Sequence, residues 1–388
     1  VYNLYKLKEG DFMSKFEVPI VKIKEVNPHP NADRIELAKV KGYTSIIMKG
    51  QYKAGDKVAY IPEGGELPFE LLKELGLTRI DKETGEIKGK LAGKKENRVS
   101  AIKLRGILSQ GICFAFPGIE KLELGTDVAA KFNITKYVPP IPTGMDGEVA
   151  SAHTFTLKYD IEDIKSFDTV LEEGEEVYFT EKIHGTFCEI GYNLDMDNKE
   201  MFGEGIAKGH VLITTKGMAD DGLAFLNNKK NREKNLYVRT MLEFGMLEKI
   251  QKLCIYYTEP VYLLVEIYGA VQDLRYGFEK KGGTAYRLFD VYVGFPKTGR
   301  YLSKDEMKKV ANEIGIEHVP ILYKGPFSWK VADEYANGME TISGKEVHMR
   351  EGIVINPILE RNDYELGRVI LKHKGDSYLT RKQGTEYR

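Results

Sequence analysis

Lys182 closes the run Val177-Tyr178-Phe179-Thr180-Glu181-Lys182, and Ile183-His184-Gly185-Thr186 follow it. A lysine amine at a strand end, with a glycine three residues on, is suited to act as a nucleophile in a tight turn. The glycine allows the backbone to approach a phosphate closely. Farther along, Leu263-Leu264-Val265-Glu266-Ile267-Tyr268-Gly269 places Glu266 at the end of an apolar strand. Ala285-Tyr286-Arg287-Leu288-Phe289-Asp290-Val291 offers Phe289, and as a second choice Tyr286, for stacking on a purine. Arg350-Glu351-Gly352-Ile353-Val354-Ile355 sets Glu351 at a strand start. Val369-Ile370-Leu371-Lys372-His373-Lys374 ends on Lys372 and Lys374, two apart and so on one face of a strand.

One nucleophilic amine, two carboxylates, one stacking ring and two accessory lysines are the parts that nucleotidyl transfer requires. Singly, each has a plainer reading: strand-edge lysines are commonly solvated, and a strand phenylalanine is usually core. The ordered set carries the weight. A lysine attacks only as the free amine, against an ordinary pKa of about 10.4. Neighbouring cations favour that form, and Lys372, Lys374 and a bound Mg²⁺ are the candidates. The same charges would stabilise an α-phosphate under attack and help pyrophosphate leave. Because Mg²⁺ keeps most of its waters, Glu351, with Glu266 beside it, would hold the ion (or Mn²⁺) through its water shell. His184 and His373 read as local hydrogen-bonding residues, since no second His or Cys stands at ligand spacing.

The elements that must position these groups fall into two blocks. Before residue 140, short β-rich runs (20–26, 43–48, 57–61 and 99–105) are separated by Gly, Pro, Asn and Asp, and only residues 69–75 look helical. Such spacing predicts a small closed barrel, of which the OB-fold is the commonest that meets nucleic acid. Val138-Pro139-Pro140-Ile141-Pro142-Thr143-Gly144 reads as a linker. From about residue 150 strands (176–180, 262–268, 287–293, 353–356 and 369–372) mix with helices over 236–253 and 303–314, the latter opening on a capping box at Ser303.

The series resembles the six collinear motifs of the covalent nucleotidyltransferase superfamily, the polynucleotide ligases and mRNA capping enzymes. Lys182 matches the nucleotidylated lysine, Thr215-Lys216-Gly217 the short basic motif after it, and Glu266, Phe289, Glu351 and Lys372/Lys374 the rest. Within the superfamily the order is similar to one group of ATP-dependent RNA ligases, with the OB domain ahead of the transferase domain. DNA ligases and capping enzymes carry theirs after the last motif, and here 14 residues follow Lys374. Gly269-x-x-Gln272-Asp273-Leu274-x-Tyr276-Gly277 also looks like this group. The common first motif has Asp before its glycine; His184 stands there instead, as in some RNA ligases. Asn27-Pro28-His29-Pro30-Asn31-Ala32-Asp33-Arg34-Ile35-Glu36 looks like the barrel opening of tRNA-binding OB modules.

The resemblance implies an OB-fold β-barrel over 1–140 and an α+β ligase-type nucleotidyltransferase domain over 150–388. It further implies ATP as the nucleotide, Mg²⁺ or Mn²⁺ as the metal, and RNA 3′-hydroxyl and 5′-phosphate ends, in a nicked duplex or broken strand, as substrate. By resemblance Glu266 binds ribose hydroxyls, and Lys216, Phe289, Lys372 and Lys374 bind the nucleotide with Lys182. Arg98, Lys103 and Arg105, close together near one strand, are the expected RNA-phosphate contacts. The alternatives are a DNA ligase or guanylyltransferase of the same chemistry, or a non-catalytic RNA-binding protein.

Composition agrees with a soluble enzyme: 388 residues, 42% hydrophobic and 30% charged, with no run apolar enough to span a bilayer. Val1-Tyr2-Asn3-Leu4-Tyr5 shows no secretory pattern. Cys113, Cys188 and Cys254 form neither metal spacing nor a disulfide framework, which fits a reducing cytoplasm. The net charge of −1 conceals an excess of about six positive charges over residues 1–140. No repeat or coiled-coil seam is present, so a monomer is expected.

Overall fold

The computed structural model describes residues 16–142, 144–203, 209–279 and 282–381. Residues 1–5, read above against a leader, and Thr143 of the linker lie outside them.

The first block is a barrel. Strands β1 (Ile20–Pro28), β2 (Ile35–Val40), β3 (Tyr43–Met48) and β4 (Lys57–Ile61) are followed by helix α1 (Phe69–Glu74). A hairpin, β5 (Ile102–Leu104) and β6 (Ile107–Ser109), leads into β7 (Ile112–Phe114). The sheet order is β7-β4-β1-β2-β3. Its two ends meet where Gln110 N–H donates to the Thr44 carbonyl at 2.8 Å, nearly closing the barrel. In β1 the alternation expected of a half-buried strand holds: Val21 and Ile23 are buried while Lys22 and Lys24 are exposed. Residues 29–34 join β1 to β2. The run 99–105 is not one strand, because β5 covers only three residues before the chain turns at Arg105, whose φ is 46°.

The second block is built on two five-stranded sheets. Its strands are β8 (Glu162–Asp163), β9 (Glu176–Lys182), β10 (Gly185–Asn193), β11 (His210–Thr214), β12 (Val261–Gly269), β13 (Thr284–Val293), β14 (Arg300–Tyr301), β15 (Ile321–Pro326), β16 (Gly352–Pro357) and β17 (Leu371–Lys374). One sheet has the order β8-β17-β16-β9-β15 and the other β11-β10-β12-β13-β14. Helix α2 (Lys216–Asp220) follows β11. Helices α3 (Leu236–Glu243), α4 (Met246–Tyr257) and α5 (Lys304–Ile314) bring Met241, Met246, Ile250 and Val310 into one core with Leu263 and Val265 of β12. Helix α6 (Trp329–Ala336) covers the first sheet through Phe179, Ile353 and Leu371.

Covered on both faces, β12 reads as an almost unbroken apolar run, and Glu266 is its one position that is only partly buried. The helix expected over 236–253 is in fact two, broken where Gly245 takes φ 62°. The helix expected over 303–314 forms, with the Ser303/Glu306 capping box in place.

The two blocks meet along residues 163–168. Gly42 N–H donates to the Lys165 carbonyl at 2.8 Å, Lys165 Nζ to Gln110 at 2.7 Å, and Lys24 Nζ lies 2.5 Å from Asp168. Tyr43 and Ser166 share a 2.8 Å hydrogen bond. Gly42 is required there, since a Cβ would fall 2.7 Å from the Lys165 Cα.

Candidate active site

The chain crosses from one sheet to the other at Lys182, the last residue of β9, and resumes as β10 at Gly185. Across the first sheet Lys182 pairs with Gly352 and Gly352 with Lys374, so the two lysines flank a residue that has no side chain. The next row of the same face is Thr180, Val354 and Lys372. Gly352 allows this approach: a Cβ would lie 2.1 Å from the His373 carbonyl oxygen and 2.8 Å from the Lys374 Cα. The spacing of Lys372 and Lys374 thus puts both on the face that carries Lys182, while His373 points away and bonds Asp333 at 2.7 Å.

Lys182 Nζ is 2.8 Å from Glu351 Oε1. Burial opposes ionisation of Glu351, but Lys182, His184 and Lys374 together hold its carboxyl well below the usual range. His184 reaches Glu351 at 3.4 Å through Nδ1 and Asp273 at 2.6 Å through Nε2. Burial works against the imidazolium, yet the Asp273 and Glu351 carboxylates lift the His184 pKa above its ordinary value. Burial, helped by Lys374 and Lys182, pushes Lys372 down to about 8, and its Nζ donates to the Ile161 carbonyl at 2.6 Å.

The second sheet supplies the opposite wall. The register of β12 against β13 slips between Leu264 and Val265, leaving Phe289 as the extra residue of a bulge. On the face opposite Tyr286 and Leu288, Phe289 stands with Tyr159 and Phe187 in an aromatic group with centroids 5.6–5.9 Å apart. Lys182, Lys216, Glu266, Phe289 and Lys372 all line one cavity of about 220 Å³. Lys216 opens α2 and pairs with Asp160 at 2.5 Å. Tyr286, the second candidate for stacking, faces the other way and packs edge-on against Phe244 in the helical core. Burial raises the Glu266 carboxyl to about 8, against the pull of Lys182. A carboxyl that keeps its proton at neutral pH suits hydrogen bonds to hydroxyls better than a metal. Glu351, ionised and beside two cationic side chains, fits a hydrated divalent ion. Among the described residues no group of three or more His, Cys, Asp or Glu is placed to hold a metal, so an ion at Glu351 would keep most of its waters.

A family model for RNA ligase matches residues 175–374, half of the chain. The chain belongs to the RNA ligase family. A model of an OB-fold domain matches residues 17–116 of this RNA ligase, naming the barrel. The ligase is similar to solved structures of the Naegleria gruberi RNA ligase. With an alanine mutant of that enzyme holding ATP and Mn it shares 24% identity at TM-score 0.71, covering 94% of this chain and 98% of the other. The pyrophosphate complex gives 24% and 0.70 with the same coverage, and a mutant with AMP and Mn gives 23% and 0.71. The likeness establishes a shared fold: an OB barrel ahead of a ligase-type domain, as the order of motifs implied. No curated protein sequence matches the chain.

A cleft of about 1030 Å³ separates the ligase's two domains and shares Tyr159, Asp160, Ile370 and Lys372 with the smaller cavity. Arg98, Lys103 and Arg105 do not line it. Arg98 lies over the Tyr137 ring at 4.0 Å, while Lys103 and Arg105 are exposed on the β5–β6 hairpin. The basic residues that the barrel does turn toward the cleft are Lys41 and Lys136. Neither belongs to a motif, and only the closed barrel reveals them. Asp273 was present in the quoted Gln272-Asp273-Leu274 run, but nothing in its spacing tied it to His184.

No helix among the described residues is long and apolar enough to cross a membrane.

Proposed function

We propose that this RNA ligase seals RNA ends with ATP through a covalent lysyl-AMP on Lys182. The observation that carries the reading is the convergence of Lys182, Lys216, Glu266, Phe289 and Lys372 on one cavity, with Glu351 and Lys374 at its edge. The Naegleria gruberi structures held with ATP, AMP and Mn, or pyrophosphate support the nucleotide and the metal.

In the first step the Lys182 amine, having given up its proton, attacks the α-phosphorus of ATP. A nitrogen–phosphorus bond forms, and the bond to the bridging oxygen of pyrophosphate breaks. Phe289 stacks on adenine, Glu266 meets the ribose hydroxyls, and Lys372, Lys374 and Lys216 neutralise the phosphates. Glu351 would hold Mg²⁺ or Mn²⁺ through its water shell, and the bound ion would add positive charge at the α-phosphate. Next, an oxygen of an RNA 5′-phosphate attacks the same phosphorus and releases the lysine, giving RNA-adenylate. A 3′-hydroxyl then attacks the 5′-phosphate, closes the phosphodiester and expels AMP. The route replaces one hard condensation by transfers with good leaving groups.

The substrate is a 3′-hydroxyl and a 5′-phosphate held together at a nick or break, with the interdomain cleft as the place for the strand. The enzyme acts as a monomer in a reducing cytoplasm, a reading supported by the buried free thiols of Cys113, Cys188 and Cys254.

The test is incubation of the protein with α-labelled ATP or GTP and Mg²⁺, followed by a denaturing gel. A labelled band from ATP that is lost in Lys182→Ala supports the reading. Label from GTP alone points to a capping-type enzyme. No label from either, on protein shown by mass to carry no AMP, ends it.

A further inference from the structure

Each neighbour of Lys182 in its turn is fixed, and one loop does most of the fixing. That loop, Val271–Tyr276, follows β12 and is bounded by Gly269 and Gly277, whose φ angles are 99° and 75°. At Gly269 a Cβ would lie 2.5 Å from the Gly283 carbonyl oxygen, so the loop leaves the sheet where only glycine fits. Three of its side chains reach the nucleophile turn. Tyr276 Oη donates to Glu181 Oε1 at 2.6 Å. Asp273 accepts from His184 at 2.6 Å. Gln272 Nε2 donates to the Gly185 carbonyl oxygen. The Tyr276 ring also packs with Ile183 in a small apolar cluster. The residues on both sides of Lys182 are therefore held by hydrogen bonds and packing from one direction, while the lysine faces the cavity on the other.

None of Gln272, Asp273 or Tyr276 lines the nucleotide cavity. Glu181 and Tyr276 are almost wholly buried, at 1% and 0% exposure. A carboxylate buried beside a nucleophile is costly unless it is satisfied. Here Tyr276 takes one oxygen, and the Thr341 backbone N–H and hydroxyl take the other at 3.0 and 2.5 Å. The clamp is itself backed by the last helix, α7 (Asp376–Leu379). Arg381, just past it, donates to Asp273 at 3.1 Å and lies over the Tyr378 ring at 3.8 Å, and the Tyr378 hydroxyl shares a 2.9 Å hydrogen bond with His184.

We infer that Gln272, Asp273 and Tyr276 are positioning residues that aim Lys182 for attack on the α-phosphate without touching the nucleotide. The inference rests on the lysyl-AMP reading and adds to it the part that sets the lysine's direction. Attack on phosphorus demands near-attack geometry, and misplacement by about 1 Å can cost on the order of 100-fold in rate. The final sealing step makes no such demand, because a 3′-hydroxyl rather than Lys182 is then the nucleophile.

The experiment compares wild type, Tyr276→Phe, Gln272→Met and the double variant in two assays. One is single-turnover lysyl-AMP formation over a range of ATP concentrations. The other is sealing of a nicked RNA that already carries a 5′-adenylate. The expected result is a maximal rate of lysyl-AMP formation lowered about 10-fold in each single variant and about 100-fold in the double. The ATP dependence and the sealing of adenylylated RNA stay within about twofold of wild type. The inference is overturned if the double variant forms lysyl-AMP at the wild-type rate. It is equally overturned if the loss lies in the ATP concentration required, or if sealing falls in parallel, since a general disturbance of the domain gives those results. A wild type that takes no label sinks the lysyl-AMP reading instead, so the two failures are separable.

Discussion

Lys182 Nζ and Glu351 Oε1 are 2.8 Å apart, so the amine proposed to attack ATP is held by the carboxylate that would hold the metal's waters. Two requirements are in tension there. Lys372 and Lys374 favour the free amine, and Glu351 favours the charged one. Attack requires the pair to part. Removing the negative charge with Glu351→Gln keeps the side chain's shape but takes away the charge that would hold the metal's waters, and leaves Asp273 as the acidic partner of His184. The expected outcome is a fall of about 100-fold or more in lysyl-AMP formation, read from labelled protein against time. An unchanged rate would show that Glu351 has no part in the step.

Phe289 and Tyr286 sit three apart on one strand, an odd spacing that puts them on opposite faces of it. Stacking of a base on a ring contributes about 1–3 kcal/mol, so Phe289→Leu is expected to raise the KM for ATP by about 10-fold or more. Tyr286→Phe, which keeps the ring in the helical core, should leave that KM alone. If the two variants raise it equally, Phe289 is not the base platform.

Gly352 is the spacer between Lys182 and Lys374. Gly352→Ala would set a methyl 2.1 Å from a backbone oxygen, which no rotamer can relieve. The strand pair must open, at a cost of about 1–3 kcal/mol of stability, and lysyl-AMP formation should fall with it. Urea unfolding curves give the first quantity. A variant as stable as wild type would mean that β16 and β17 separate readily.

Glu189 is fully buried in β10, accepts from the Leu157 backbone N–H at 2.9 Å, and has its other oxygen unpartnered among the described residues. Burial raises its carboxyl from 4.5 to about 8. Between those values the folded protein keeps a proton that the unfolded chain has released, so Glu189 lowers stability progressively as pH rises through this window. Glu189→Gln lacks the penalty. Its stability relative to wild type should grow from about pH 5 to about pH 8, by an amount on the order of a few kcal/mol, and then level off. Unfolding free energies at the two pH values test this; a constant difference would place the titration elsewhere.

The chemistry was more legible in the sequence than the geometry that serves it. Lys182 and Lys374 end strands, Glu351 immediately precedes one and Glu266 lies within the apolar β12, all in runs whose alternation, apolarity or glycines mark position along the chain. The odd spacing of Tyr286 and Phe289 puts them on opposite faces of one strand, but which face meets the cavity is decided by how β13 packs in its sheet, which no single segment encodes. Gly245 breaks a helical pattern that looks continuous, because one glycine within a periodic run reads equally as a tolerated interior residue. Arg98, Lys103 and Arg105 look neighbourly in the chain, but Arg98 lies over Tyr137, Lys103 and Arg105 belong to an exposed hairpin, and none of the three lines the cleft. Lys41 and Lys136 are far apart in the chain and face one cleft only after the barrel closes.

Strand β8 runs parallel to β17, with Asp163 opposite Lys372, and just beyond it the same segment sets Lys165 and Ser166 against the barrel. The piece of chain that receives the barrel is therefore also an edge of the sheet that bears Lys182, Lys372 and Lys374. A barrel borrowed from another protein and spliced on at the proline-rich joint would lack its seat unless it brought counterparts of Gly42, Tyr43 and Gln110. Modular exchange in this lineage is then constrained less by the joint itself than by a short strip beyond it.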